Sequence, residues 1–474
     1  MKRILAFALT LLMVPIVIGC SKHHRMSEVP LVVALPQEYS ASGTTTAPLH
    51  WWQVFNDNEL NSLMETAFSE NLDLKVAWNR LSQAEASTSY SRSARRFSVD
   101  GSLAVTRRKS VFLQGAAFGA RGVNAFYLSQ YDMSVAANYE VDLWNRLRSQ
   151  VRASSRDERA ARNDLETIGL SLSATLCEAW FQLIEQQSQL QLVNEQIKVA
   201  QTFLELLELR LGQGVSSALD VYQQKQQLAS TRALLPQIKS QEAVLKHQLA
   251  TLLALLPNTD DFQIPAKLPQ LPPLPATGLP IEILDNRPDV RAAMQRVLAA
   301  DHRVAAAVAS LRPNLNIRPT TGFSSSATSS LFDNFIWSVG SSLLGPIIDG
   351  GRRRAEVRRS KAFVAEQLNR YGSIVLTAIR EVEDALAREK FHRQYISELD
   401  KNLALSEATL EEAKARYLNG LSDYLPFLTA LVSLQNLQRT RVSAQRQLLS
   451  YRISLHRALG GKWTTQLMRK EEEK

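Results

Sequence analysis

Residues able to do covalent or acid–base chemistry are few in this chain and scattered along it. Its seven histidines are His23, His24, His50, His247, His302, His392 and His456, and beyond the adjacent pair His23-His24 no metal-ligand spacing occurs. The sequence holds no Walker loop, nucleophile elbow or zinc motif. Its two cysteines, Cys20 and Cys177, are too few for a disulfide scaffold, and Cys177 sits among apolar helix positions, where a thiol packs. The expectation is a protein without catalytic residues, metal or cofactor. What does recur at fixed spacing is a turn, Arg210-x3-Gly214-x-Ser216-x2-Leu219, and its twin Arg416-x3-Gly420-x-Ser422-x2-Leu425. The chemistry of such a turn is conformational. Glycine supplies a left-handed helix cap, and serine or aspartate caps the helix that follows.

Hydrophobic periodicity gives the elements that must hold these turns. Asn58 to Arg95 carries Leu60, Leu63, Ala67, Leu74 and Leu81 at helical spacing. From Asn145 to Gln213, apolar residues from Leu165 through Leu172, Leu183 and Ile197 to Leu211 recur in steps of three or four, as along a coiled-coil seam. One continuous helix of that length extends roughly 100 Å at 1.5 Å per residue, too far for a single globule. Ala218 to Leu256 and Asp423 to Leu459 supply antiparallel partner helices. Period-two stretches predict strands over Ser98–Arg107, Ala125–Val141, Asn314–Ala327 and Phe335–Ile348. Arg108 to Asn124, with Gly115, Gly119 and Gly122, reads as an exposed loop, and Ser329 to Asn334 as its shorter counterpart.

These elements occur twice because the chain contains itself twice. Asp73 to Glu85 aligns without gaps on Asp289 to Asp301, with Asp, Ala, Arg and Ala identical at matching positions. In a second register Arg146 falls on Arg352, Glu178-Ala179 on Asp384-Ala385, and one turn motif on the other. Seven of the 17 prolines lie between Pro257 and Pro280, where the copies join, whereas Leu49 to Leu235 contains none. Uninterrupted helices and strands require such a gap.

Met1-Lys2-Arg3 followed by the apolar run Ile4 to Ile18 reads as a signal peptide. Val17-Ile18-Gly19-Cys20 resembles a bacterial lipobox, which implies that Cys20 becomes the first mature residue and carries acyl chains. Ser21 resembles the outer-membrane sorting pattern of such lipoproteins. The formal charge of +9 comes from 55 Lys and Arg against 46 Asp and Glu, interleaved on helix faces, which points to a wet surface and no nucleic-acid partner. No other segment reads as long and apolar enough to span a membrane as a helix, so any crossing must use strands. Four strands cannot close a membrane barrel alone, and open sheet edges are not tolerated in lipid. Membrane strands here therefore imply a barrel shared between copies; the alternative is a soluble sheet capping a helical bundle.

The lipobox, the duplication and the corners Tyr139-Glu-Val-Asp-Leu-Trp-Asn-Arg146 and Gly345-Pro-Ile-Ile-Asp-Gly-Gly-Arg352 together resemble the TolC-type outer-membrane efflux proteins, in their lipoprotein branch. The resemblance runs from Cys20 to about Trp463. It implies a mainly α fold with a membrane β-barrel: a homotrimer sharing 12 strands in the outer membrane above an α-helical barrel that crosses the periplasm. It further implies docking on a periplasmic adaptor and an inner-membrane pump, with small toxic compounds leaving through the tube. By that resemblance the two turns are periplasmic tips, so Arg210, Gly214, Ser216, Leu219, Arg416, Gly420, Ser422 and Leu425 are adaptor-contact candidates. Asp220 and Tyr417 match positions whose inter-helix bonds hold such a tip shut. Pro426 and Thr429 stand where relatives often carry Asp, which predicts a gate closed partly by packing of Leu219, Leu425 and Phe427.

The expected organisation is a signal peptide over 1–19, a lipid-anchored extension over 20–56, a first repeat over 57–256, a proline-rich linker over 257–280, a second repeat over 281–463 and a charged tail over 464–474. Rival readings are a protein or peptide secretion duct, a periplasmic adaptor lipoprotein and a purely structural envelope lipoprotein. Adaptors usually show one hairpin between β-rich halves, whereas hairpin and strands both occur twice here.

Overall fold

A computed structural model of the chain describes residues 23, 26–45, 48, 50–113, 123–257 and 262–468. Cys20 and the centre of the loop expected between the first two strands lie outside the described residues. In chain order the main elements are α1 (Asn58–Glu70), α2 (Leu72–Ser93), β1 (Ser98–Leu113), β2 (Val123–Val141), α3 (Arg146–Gly212), α4 (Ala218–Leu252), α5 (Pro288–Ala309), β3 (Asn314–Ser325), β4 (Phe335–Leu344), α6 (Arg352–Leu418) and α7 (Tyr424–Leu459). The duplication is visible in their lengths. α2 and α5 both have 22 residues and α3 and α6 both have 67, while α4 has 35 against 36 in α7.

The helix expected over Asn58–Arg95 is broken at Asn71. The Asn71 amide N–H donates to Ala67 O and ends α1, while its side-chain oxygen accepts from the Leu74 N–H and starts α2. Its Nδ2 donates to Leu252 O at the end of α4. The second copy repeats the joint with different chemistry. Arg287 separates the single helical turn Ile283–Asn286 from α5, and its guanidinium donates to Ala458 O at the end of α7. Pro288 at the first position of α5 has no N–H to leave unsatisfied.

The four strands form one antiparallel sheet in the order β1-β2-β3-β4. Ser98 pairs with Asn138, Leu113 with Val123, Val141 with Leu315 and Asn314 with Leu344. β1 and β2 therefore run further than expected, taking in residues 108–113 and 123–124 that the sequence pattern assigns to the loop. A run of polar residues, Arg107-Arg108-Lys109, interrupts the apolar alternation but does not interrupt backbone pairing. β3 and β4 end short of their expected limits, β4 because Pro346 has no N–H to continue the ladder. Pro319 lies inside β3, and pairing with β2 skips from Ala136↔Thr320 to Tyr139↔Ile317 around it.

The chain divides into two compact units that cut across the duplication, each drawing on both copies. One comprises 1–30, 82–160 and 293–370 and contains the sheet; the other comprises 31–81, 161–292 and 371–474. The main apolar core lies in the second unit, where Trp51, Trp52, Phe55, Leu60 and Met64 pack with Leu176, Cys177, Trp180, Phe181 and Ile184. Cys177 is a buried free thiol within it. The proline-rich segment belongs to the same core through Phe262, Ile264, Leu268 and Leu271. Arg452, 0% exposed, donates to Pro272 O and Pro273 O and pairs with Glu389. The N-terminal extension docks on this segment: the Gly43 N–H donates to Pro275 O, and the Ala276 N–H to Thr45 O. Contrary to the sequence expectation, one helix, α3, does contain a stretch apolar enough to cross a membrane, but two-thirds of that stretch is buried against other parts of the chain. It is a packing surface.

Candidate functional site

The first candidate surface is the sheet. Residues opposite one another in an antiparallel ladder share a face, so the register sorts the side chains. One face carries Val99, Leu103 and Val105 on β1, then Tyr131, Met133 and Val135 on β2, Thr321 and Phe323 on β3, and Phe335, Trp337 and Val339 on β4. Most of these apolar side chains are exposed in the chain, Leu103 at 72%, Trp337 at 72% and Val339 at 65%, while Tyr131 and Phe323 are half-buried. The opposite face carries Ser102, Ser134, Asp132, Ser324 and Ser338, where Ser102 Oγ lies 2.8 Å from Ser134 Oγ and Ser324 Oγ donates to Asp132 at 2.6 Å. β1 and β4 are the sheet's edges.

The second candidate surface is formed by the two tip turns, α3–α4 and α6–α7. Both end their long helix in the same Schellman arrangement. The Gly214 N–H donates to Leu211 O and the Val215 N–H to Arg210 O; the Gly420 N–H donates to Tyr417 O and the Leu421 N–H to Arg416 O. Gly214 and Gly420 have φ of 74° and 71°, a left-handed conformation that explains the glycines. α4 starts at Ser217, whose hydroxyl accepts from the Asp220 N–H while the Asp220 carboxylate accepts from the Ser217 N–H, a complete capping box. Ser216 adds a 3.0 Å bond to the same carboxylate. Asp423 occupies the equivalent cap position of α7 without a side-chain cap bond. Pro426 falls in the first turn of α7, where its missing N–H has no intrahelical role.

Between these helices lies a small apolar cluster of Leu207, Val221, Tyr417, Tyr424, Phe427 and Leu431. Phe427 is 1% exposed, in contact with Phe203, Tyr417 and Tyr424. Tyr424 Oη donates to Gln224 Oε1 at 2.5 Å, and Gln224 Nε2 in turn donates to Ala200 O at 2.6 Å, joining α7, α4 and α3. Burial, and secondarily the neighbouring Tyr417 and Asp220, push the Tyr424 hydroxyl well above its ordinary pKa, so it stays a neutral donor. The twin arginines diverge. Arg210 stacks its guanidinium 4.9 Å over the Tyr417 ring, whereas Arg416 is exposed and pairs with Glu412. Leu219 and Leu425 are exposed, as are Val215 and Leu421.

The structure thus brings Arg210, Tyr417 and Phe427 together in the cluster, binds Asp220 and Ser216 within one cap, and leaves Leu219 and Leu425 outward. Ser422 donates a long 3.4 Å bond to Asp423 O. Sequence reasoning missed Tyr424 and Gln224, which supply the inter-helix bond expected of Tyr417; the Tyr417 hydroxyl is buried with no partner among the described residues. It also missed Ser217, although Ser217-x2-Asp220 is a visible capping-box signal.

A family model described as "Outer membrane efflux protein" matches residues 63–255 and 279–461. The chain belongs to this family. A relative, the pyoverdine export outer membrane protein OpmQ of Pseudomonas putida, is 30% identical over 418 residues, which cover 87% of this chain and 88% of that one. The toluene efflux pump outer membrane protein TtgF, also of Pseudomonas putida, is 30% identical over 431 residues, covering 89% and 87%. The solved structure of the outer-membrane channel OprN has a TM-score of 0.84 at 28% identity and covers 93% of this chain and 99% of that one. Like its family, this efflux protein resides in the outer membrane.

Proposed function

We propose that three copies of this efflux protein close their sheets into one 12-stranded barrel and act as the passive exit duct of a tripartite pump. The observation that carries this is the sorting of the sheet into an exposed apolar face and a polar face, with both edges open. An apolar face toward lipid, a polar face toward a wet lumen and edges satisfied by the neighbouring copies meet the demands of hydrocarbon, where each unpaired backbone group costs several kcal/mol. An adaptor with one hairpin between β-rich halves does not account for hairpin and strand pair both occurring twice, and a purely structural lipoprotein needs neither faces nor tips.

At the two tip turns, Leu219, Leu425, Val215 and Leu421, with Arg416, Gly214, Gly420, Ser216 and Ser422, make the docking surface for a periplasmic adaptor, which couples the duct to an inner-membrane pump. Asp220 holds the first turn in shape, and Tyr417 and Phe427 keep the tip closed by packing beneath Arg210. Cys20 carries the N-terminal acyl chains that anchor each copy. No residue performs covalent chemistry on cargo, and no cofactor beyond that lipid is needed. The cargo class is small toxic organic compounds, in keeping with the toluene named for one relative; another is named for pyoverdine export. Heat-modifiable migration on gels together with ion conductance in planar bilayers tests this reading. A trimer that dissociates only on boiling and conducts is expected; a protein that stays monomeric and never conducts overturns it.

A further inference from the structure

We propose that arginines at the four junctions between sheet and helices form a collar that binds anionic phospholipid headgroups. The inference rests on the reading that β1–β4 cross the outer membrane, which places these junctions at the surface of the leaflet facing the helices.

Three junctions place an exposed apolar residue toward the strand and arginine toward the helix. Between α2 and β1 stand Arg95 and Arg96, then Phe97, 69% exposed. Between β2 and α3 stand Leu143, 50% exposed, and Trp144, followed by Arg148. Between β4 and α6 stand Ile347 and Ile348, 96% and 92% exposed, followed by Arg352 and Arg354. At the fourth, between α5 and β3, Arg312 lies over the Trp144 ring at 4.7 Å, and the Trp144 N–H donates to Pro313 O. Apolar side chains beside arginines are the composition of a bilayer interface.

The carboxylates at these junctions are already committed. Asp142 accepts from the Leu147 and Arg148 N–H groups and caps α3; Asp349 accepts from Gly351 and Arg353 and caps α6. Glu140 pairs with Arg146. Arg95, Arg96, Arg148, Arg352 and Arg354 are exposed and make no ion pair with a described residue. A cavity of about 780 Å³ opens at the α2–β1 junction, lined by the donors Arg96, Ser93, Ser98 and Asn138 and by Glu140, whose carboxylate is paired with Arg146. Five such cations, repeated in every copy, favour an anionic headgroup over a zwitterionic one.

The test uses the full-length protein in mild detergent, incubated with phosphatidylglycerol or phosphatidylcholine, with bound lipid counted by native mass spectrometry. The wild type is expected to retain phosphatidylglycerol on the order of tenfold more than phosphatidylcholine. The combined variant R95Q/R96Q/R148Q/R352Q/R354Q is expected to lose that preference, and the same five positions changed to lysine to keep it. Equal retention by the glutamine variant overturns the collar, and so does full displacement by millimolar inorganic phosphate, which marks a free-anion site. Conductance of the wild type is read in parallel. A protein that conducts without lipid preference overturns the collar alone, whereas one that never conducts overturns the channel reading beneath it.

Discussion

At the residue scale, buried polar groups fix how the N-terminal extension, the proline-rich segment and α7 meet. Arg452 is enclosed, yet its guanidinium is bonded to Glu389 and to the Pro272 and Pro273 carbonyls. Burial pushes the Glu389 carboxyl up, but its bonds from Arg452 and Arg393 outweigh that and hold it below its ordinary value. Beside this pair His456 stacks on Trp51, with ring centroids 5.2 Å apart. Burial, with the neighbouring Arg452 second, pushes its imidazole from 6.5 down to about 3. A depressed histidine contributes its full stability above the unfolded value of 6.5, and loses it progressively as pH falls toward about 3, where only the unfolded chain binds the proton. The melting temperature is therefore expected to drop steeply between those pH values, by the equivalent of several kcal/mol, with a flatter limb in His456→Phe. An identical acid limb in the variant contradicts this. None of the network was legible in the sequence, where His456 is one of seven scattered histidines and Arg452 one of many interleaved charges; only the packing of three distant segments removes them from water.

At the element scale, the long helices and both tip turns were legible, because period, capping glycine and duplication all pointed the same way. The break at Asn71 was not, since apolar spacing continues through it and the side chain that ends α1 also starts α2. Strand ends were blurred for a related reason: backbone pairing follows hydrogen-bond register and tolerates a polar run that hides the alternation. The turns themselves permit a clean test. A Cβ added at Gly214 or Gly420 meets nothing within 4 Å, so substitution by alanine is opposed by φ alone. Gly214→Ala and Gly420→Ala should each cost about 1 kcal/mol locally. Faster hydrogen exchange at the Val215 and Leu421 amides is expected, with the global melting temperature nearly unchanged. Unaltered exchange at both amides means that the left-handed caps do not hold the tips.

At the scale of the whole molecule, the duplication and the compact units describe different things. The copies follow one another along the chain, while each unit assembles matching segments from both. Sequence could reveal the first, because it is written in spacing; the second depends on which strands pair across copies, as β2 and β3 do. The charge of +9 includes five exposed arginines at the sheet-to-helix junctions, Arg95, Arg96, Arg148, Arg352 and Arg354. The central claim is that β1 of one copy completes its ladder against β4 of the next, because both are open edges of a sheet whose apolar face needs lipid. Within one chain β1 and β4 are separated by β2 and β3, so they cannot pair with each other. The most direct measurement places cysteine at Val105 and, in turn, at each position of Phe335–Leu344, then oxidises membranes holding the full-length protein; Cys177, being buried, does not compete. A ladder of covalent dimer and trimer at one register, recurring at alternate β4 positions, is the expected result; monomer at every position contradicts the shared barrel.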